Sequence, residues 1–278
     1  MISCLLFLAL LPGTAVQAEK ILVGKTELEI PAPAGSVNVT LEIKDVSPYS
    51  QILAEAEQQG SKVFFYLPEK SAAVLRQGEL PEPEHFFLLQ IPQKVKDLSY
   101  SASDFAGFKI GIKKQNQQTR ELIAKNVKKS MESLSQGISQ DLDLDIALQV
   151  SGTVVLEPHD ESINMLSWSM YITYGLQVEG EDVNEVNACT LTYLNAGGKL
   201  LVLADYATQD ELEWTRTAAR AWSDAILAAN FQASPFPPAL NRRGNSALGE
   251  QAVIVILIIM TVVVALAFLI KKRRSHSE

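Results

Sequence analysis

Asp141, Asp143 and Asp145 alternate with leucine. In an extended chain that spacing puts three carboxylates on one face, and it also matches the opening of a calcium-binding loop. The rest of such a loop is missing. Ile146 stands where the turn glycine is required and Gly152 where the bidentate acid belongs. The run therefore reads as a solvated acidic lead-in to a strand, with weak divalent-cation binding as the alternative.

A second candidate chemistry is nucleophilic. Cys189 could act as a thiolate with His85 or His159 as its base, and His159-Asp160-Glu161 after Pro158 forms a polar loop that could carry a site and is explained equally well as a solvated turn. Against this, Cys189 lies in the alternating run Val186, Ala188, Thr190, where a cysteine serves as a small sheet residue. The remaining histidine, His276, belongs to the extreme C-terminus, and no His-x-x-x-His or Cys-x-x-Cys spacing offers a ready metal site. The chain carries no glycine-rich phosphate loop, no Gly-x-Ser-x-Gly elbow and no Ser-x-x-Lys. No catalytic, cofactor-binding or metal-ligating residue is assigned on this basis. An exported hydrolase with a dispersed site built from His159, Asp160 and Cys189 is kept as the competing reading.

The elements that must position these residues show in the periodicity. Val37 to Ile43 alternates apolar with polar and predicts a half-buried strand. Ser47-Pro48 then predicts an N-cap and first helical position, with Ile52, Leu53 and Ala56 as the stripe and Gly60 as the stop. Lys62 to Leu67 and His85 to Pro92 read as strands, with a short helix from Glu69 to Gln77 between them. Phe64-Phe65 and Phe86-Phe87 must point to opposite faces of a sheet, which calls for cover on both sides. The same apolar excess is compatible with a small ligand or lipid held between sheet and helices.

Asn116 to about Gln136 is amphipathic at helical spacing. Beyond it, Leu144 to Glu157, Ile163 to Leu176, Asn184 to Leu194 and Lys199 to Asp205 are strands on short links, predicting an antiparallel meander whose last turn is Asn195-Ala196-Gly197-Gly198. Thr208 to Glu211 matches a capping box that opens a helix running to about Asn230, with Leu212, Ala219, Trp222 and Ile226 across the sheet. The expected fold is α+β: an antiparallel sheet flanked by helices as an α/β/α sandwich, in one compact domain or two lobes.

Two apolar segments set the expected address. Ala252 to Ile270 holds 19 residues without a charge, about 28 Å as a helix, and Lys271, Lys272, Arg273 and Arg274 follow at once. That predicts a transmembrane helix over 250–270 with a cytoplasmic basic tail over 271–278. At the other end, Ile2 to Val16 is apolar, and Val16-Gln17-Ala18 offers the small residues that precede a cleavage site. Residues 1–18 therefore read as a signal peptide, the alternative being an uncleaved first membrane helix. Residues 233–249 are rich in Pro, Gly, Ser and Asn, a linker that would reach about 55 Å if extended.

The expected organisation is an exported domain over 19–232 on the extracytoplasmic, periplasmic side of the inner (plasma) membrane. Its 14 Lys and 4 Arg against 30 Asp and Glu leave −12, which disfavours nucleic acid and fits a basic or neutral protein partner in the envelope. The bilayer itself is the expected partner of the C-terminal helix. With Cys189 alone in the exported part, no internal disulfide can form, a trait that favours a bacterial envelope protein over a disulfide-stapled cell-surface domain.

The order of two early strands and a helix, then an antiparallel run closed by Gly198-Lys199-Leu200-Leu201-Val202-Leu203 and a last helix containing Glu213-Trp214, resembles the layout of PsbP and Mog1-like domains. It also resembles uncharacterised membrane-anchored bacterial envelope proteins. The resemblance covers most of the exported part and implies a small binding or assembly module rather than an enzyme. It assigns no functional residue, and the function expected is that of a protein-binding scaffold or assembly factor.

Overall fold

A computed structural model describes residues 18–44, 49–58, 60–79, 81, 83–116, 146–178 and 181–231. The strands are β1 (Ala18–Val23), β2 (Thr26–Pro31), β3 (Ser36–Asn38), β4 (Ser61–Pro68), β5 (Phe86–Pro92), β6 (Ile146–Val155), β7 (Asp160–Glu161), β8 (Met165–Val178), β9 (Glu181–Ala196) and β10 (Lys199–Thr208). The helices are α1 (Thr40–Ile43), α2 (Tyr49–Gln58), α3 (Glu69–Arg76), α4 (Ala102–Asn116) and α5 (Leu212–Ala229). One antiparallel sheet runs β3-β4-β5-β10-β9-β8-β6, with β7 on β8, while β1 and β2 form a separate hairpin.

Both faces of the sheet are covered, as the paired phenylalanines require. Phe65 and Phe86 stack at 5.3 Å in the core beneath α1 to α4, whereas Phe64 and Phe87 join the core under α5 and the β1–β2 hairpin. Trp222 of α5 anchors the second core edge-on to Tyr66 and Phe87, and its indole donates to the Pro31 carbonyl at 2.8 Å, tying the hairpin down. Asn230 does the same about two turns later. Its Oδ1 accepts from the Glu29 amide at 3.0 Å and its Nδ2 donates to the Glu29 carbonyl at 2.7 Å, so a side chain stands in for a strand partner.

Two turns need glycine. Gly197 and Gly198 both take positive φ, 54° and 75°, the two-residue turn that suits the twist of the long β9–β10 hairpin. Gly24 turns β1 into β2 at φ 62°, where a Cβ would lie 2.4 Å from the Lys96 carbonyl oxygen.

Several sequence expectations change. The strand expected over Val37–Ile43 stops at Asn38, and residues 40–43 form α1. The cause is local: Asn38 Oδ1 accepts from both the Thr40 amide at 2.9 Å and the Thr40 hydroxyl at 2.6 Å, a turn that competes with the ladder. The Thr208 hydroxyl does not cap the last helix. Its single proton is instead shared between Asp210 and Glu211, each 2.9 Å away, and a 3-10 turn over Gln209–Glu211 precedes α5. Neither α4 nor the β1–β2 hairpin is among the sequence-based elements. The helix expected over 116–136 lies outside the described residues except at its first position, which ends α4. The expected signal peptide up to residue 17, and the expected linker over 233–249, membrane helix over 250–270 and basic tail over 271–278, also lie outside them. Among the described residues no helix is long and apolar enough to cross a membrane.

Candidate functional site

The residues singled out for chemistry are kept apart. Cys189 is 0% exposed in the core beneath α1 to α4, beside Tyr206, and burial pushes its thiol well above the ordinary range. Its strand neighbour Thr190 faces the opposite side, toward α5. Both histidines keep company with α5. His85 stacks on Trp214 with ring centroids 3.8 Å apart and bonds Glu211 at 2.9 Å. His159 is exposed, and desolvation followed by the nearby Arg216 charge lowers its pKa. The sheet thus separates the thiol from either base, and a Cys–His pair is not assembled.

The polar loop after Pro158 is used structurally. Both Asp160 carboxylate oxygens accept from Arg220 Nη1, at 2.9 and 2.8 Å, joining β7 to α5. Glu161 accepts from Lys113 and pairs with Lys109 at 3.0 Å; those bonds hold its carboxyl below the usual range. Asp141, Asp143 and Asp145 lie outside the described residues. Among the described residues no group of three His, Cys, Asp or Glu side chains is placed to hold a metal.

A different place gathers binding features. A groove of about 830 Å³ runs along the open edge of β3, between the β1–β2 hairpin on one side and α1 and α3 on the other. Its base holds Tyr66, 1% exposed, whose hydroxyl is buried without a hydrogen-bond partner. Burial first, and the Glu19 carboxylate second, raise the phenol pKa. An unpartnered buried hydroxyl costs roughly 1–3 kcal/mol, so an occupant that satisfied it would recover that loss. Glu19, Glu42 and Glu69 line the walls against one cation, Arg76, which pairs with Glu42 at 3.4 Å. Leu41 stands at the rim, 81% exposed. Neither Tyr66 nor Leu41 carries a motif, so sequence reading had no reason to select them.

A smaller cavity of about 480 Å³ lies where the Gly197-Gly198 turn meets α4 and the end of α5. Asn195 lines it, and its Nδ2 donates to the Tyr100 carbonyl at 3.3 Å while its buried Oδ1 has no partner. Phe64, Phe65, Phe86 and Phe87 are buried in the two cores. Phe86 stacks on both Phe65 and Tyr206, at 5.3 and 4.7 Å, and fills the core.

No protein-family model matches the chain, and a comparison with curated proteins finds no match. Among solved structures, the Ran-binding protein Mog1p of Saccharomyces cerevisiae is 8% identical with a TM-score of 0.29, over 78% of this chain and 94% of that one. A mutant form of Mog1 is 7% identical at 0.30, and cyanobacterial PsbP (CyanoP) from Synechocystis sp. is 12% identical at 0.23, each with the same coverage. The chain is thus similar, weakly and in layout alone, to the Mog1 and PsbP structures, and no activity, partner or residue role passes from them.

Proposed function

We propose that the chain is a single-pass, membrane-anchored envelope protein whose acidic α/β/α domain binds a protein partner on the extracytoplasmic side, as a scaffold or assembly factor. The observation that carries this reading is the groove along β3. There an open sheet edge, an exposed leucine, an acidic wall and a buried unpartnered hydroxyl coincide in about 830 Å³. The charge of the exported part, −12, favours a basic or neutral partner. The apolar segment over 252–270 with its four following cations supports the anchor and its orientation.

A photocrosslinking side chain at Leu41, compared with one at Leu22 on the hairpin, tests the binding reading. A discrete adduct at position 41 and none at position 22 is the supporting result; no adduct at either site, nor from any other face, defeats it. Protease added to intact spheroplasts tests the topology, which requires digestion of the domain with the C-terminal tail protected. A second reading, small-ligand binding, is favoured by the unpartnered Asn195 Oδ1 in the 480 Å³ cavity. Against the hydrolase reading, Cys189 lies across the sheet from both histidines.

A further inference from the structure

The strand at the edge of the sheet has backbone groups to offer. The Val39 amide donates to the Phe65 carbonyl at 2.8 Å and the Glu69 amide to the Gly35 carbonyl at 3.1 Å, which sets the alternation of the β3–β4 ladder. Residues 35, 37 and 39 therefore bond inward to β4, and the amide and carbonyl of Asn38 turn to the open side. The Ser36 amide is taken by Pro33 at 3.0 Å, leaving its carbonyl on that side. An extended segment laid along this edge finds a donor and two acceptors in register.

The side chains say what kind of segment fits. Asn38 pairs with Tyr66 across the ladder, so both face the hairpin, where Asn38 Nδ2 donates to Glu19 Oε2. The unpartnered Tyr66 hydroxyl and that carboxylate line the same groove, so a cationic donor meets an acceptor and a counter-charge together. Glu42 and Glu69 extend the negative wall, and Leu41 gives an apolar contact at the rim. Anions are repelled here, and a second copy of this chain, itself at −8, is a poor match in charge.

The geometry points to an extended segment of a basic protein as the occupant. Its backbone adds to the open side of β3 at Asn38, and one lysine or arginine side chain lies between the Glu19 carboxylate and the Tyr66 hydroxyl. This assignment rests on the protein-binding reading above and narrows it to a place and a chemistry.

The test uses the full-length chain in neutral detergent and a fluorescein-labelled peptide of about ten residues alternating lysine with valine, followed by anisotropy. Three controls accompany it: the same peptide with glutamate for lysine, the same peptide N-methylated at alternate residues, and a titration with salt. The lysine peptide binds, roughly ten-fold or more tighter than either altered peptide, and weakens as salt rises. Tyr66→Phe removes a hydroxyl that has no partner in the free protein, so its melting temperature holds or rises while affinity falls roughly five- to ten-fold. Glu19→Gln weakens binding by a similar factor. Equal binding of the glutamate peptide, indifference to N-methylation, or unchanged affinity in both variants overturns the assignment. So does a cellular partner whose crosslinks map to another face, although protein binding itself then stands. If no partner is captured from any face, the broader reading fails as well.

Discussion

Asp205 and Thr190 stand opposite each other in the β9–β10 ladder beneath α5, yet no hydrogen bond joins them. The Thr190 proton is already committed. Arg216 Nε donates to Ser169 Oγ at 3.2 Å, Ser169 and Thr190 are 2.9 Å apart, Thr190 and Thr215 are 2.8 Å apart, and Thr215 donates to the Leu212 carbonyl at 2.7 Å. Each hydroxyl has one proton, so the chain of donors runs one way, from the guanidinium to the carbonyl. Asp205, 0% exposed, is left with both oxygens unpartnered, and burial raises its pKa far above the ordinary carboxylate range.

Asp205→Asn therefore changes how stability depends on pH. A raised folded pKa means the contribution of Asp205 is complete below the unfolded carboxyl range and is lost as pH climbs toward the folded value. The loss has a limiting slope of about 1.4 kcal/mol per pH unit. Asparagine does not ionise, so the variant should gain on the native chain between pH 4 and pH 8 in urea denaturation. A difference that stays constant across that range would show that the carboxyl is not desolvated.

Cys189 should be chemically silent in the folded protein. Its thiol is buried and its pKa raised, so a maleimide or an aromatic disulfide reagent should label it only after denaturant is added. Labelling of native protein at the rate of a free thiol would contradict its placement beneath the helices.

His85→Ala removes a ring that lies nearly parallel to Trp214, 13° between planes, and a bond to Glu211. The expected cost is about 1 kcal/mol, with a change in tryptophan emission as Trp214 loses its cover. Glu211→Gln keeps the stacked ring and should leave the emission nearly as it was; a spectral change in that variant and none in His85→Ala would reverse the assignment.

Asn230→Ala unties the β1–β2 hairpin from α5. Three hydrogen bonds are lost, two to Glu29 and one to the Ile226 carbonyl at 2.8 Å, and the cost should be roughly 2 kcal/mol. Hydrogen exchange localises the effect: the Glu29 amide should exchange much faster while the amides of β9 and β10 keep their protection. Uniform acceleration would mean that the hairpin and sheet open together.

Much of the fold was legible because its signals are local. The β4 and β5 runs, the long β8 to β10 meander with its glycine turn, and the stripe of Ala219, Trp222 and Ile226 on α5 all appear where periodicity put them. Local signals also hid elements. Gly107 and Gly111 dilute α4, although Phe105, Phe108 and Ile112 keep helical spacing and Ser101 and Asp104 exchange bonds at its start. The β1–β2 hairpin begins at the residue before the expected cleavage point, where the apolar leader dominated the reading. At Asn38 a side-chain turn ended a strand whose alternation continued past it.

The candidate site was not legible, and the reason is geometric. Composition and local pattern were enough to require an acidic α+β chain with a sheet covered on both faces, because alternation and helical spacing are written within a few residues. Which residues meet is a matter of register and of which face each strand turns to its neighbours. Cys189 and His159 are 30 positions apart and end on opposite sides of a sheet, while Glu19, Leu41 and Tyr66 come from three separate elements and line one groove. Only tertiary packing decides such meetings, since it is the joint burial of both faces that selects one register over its one-residue slip.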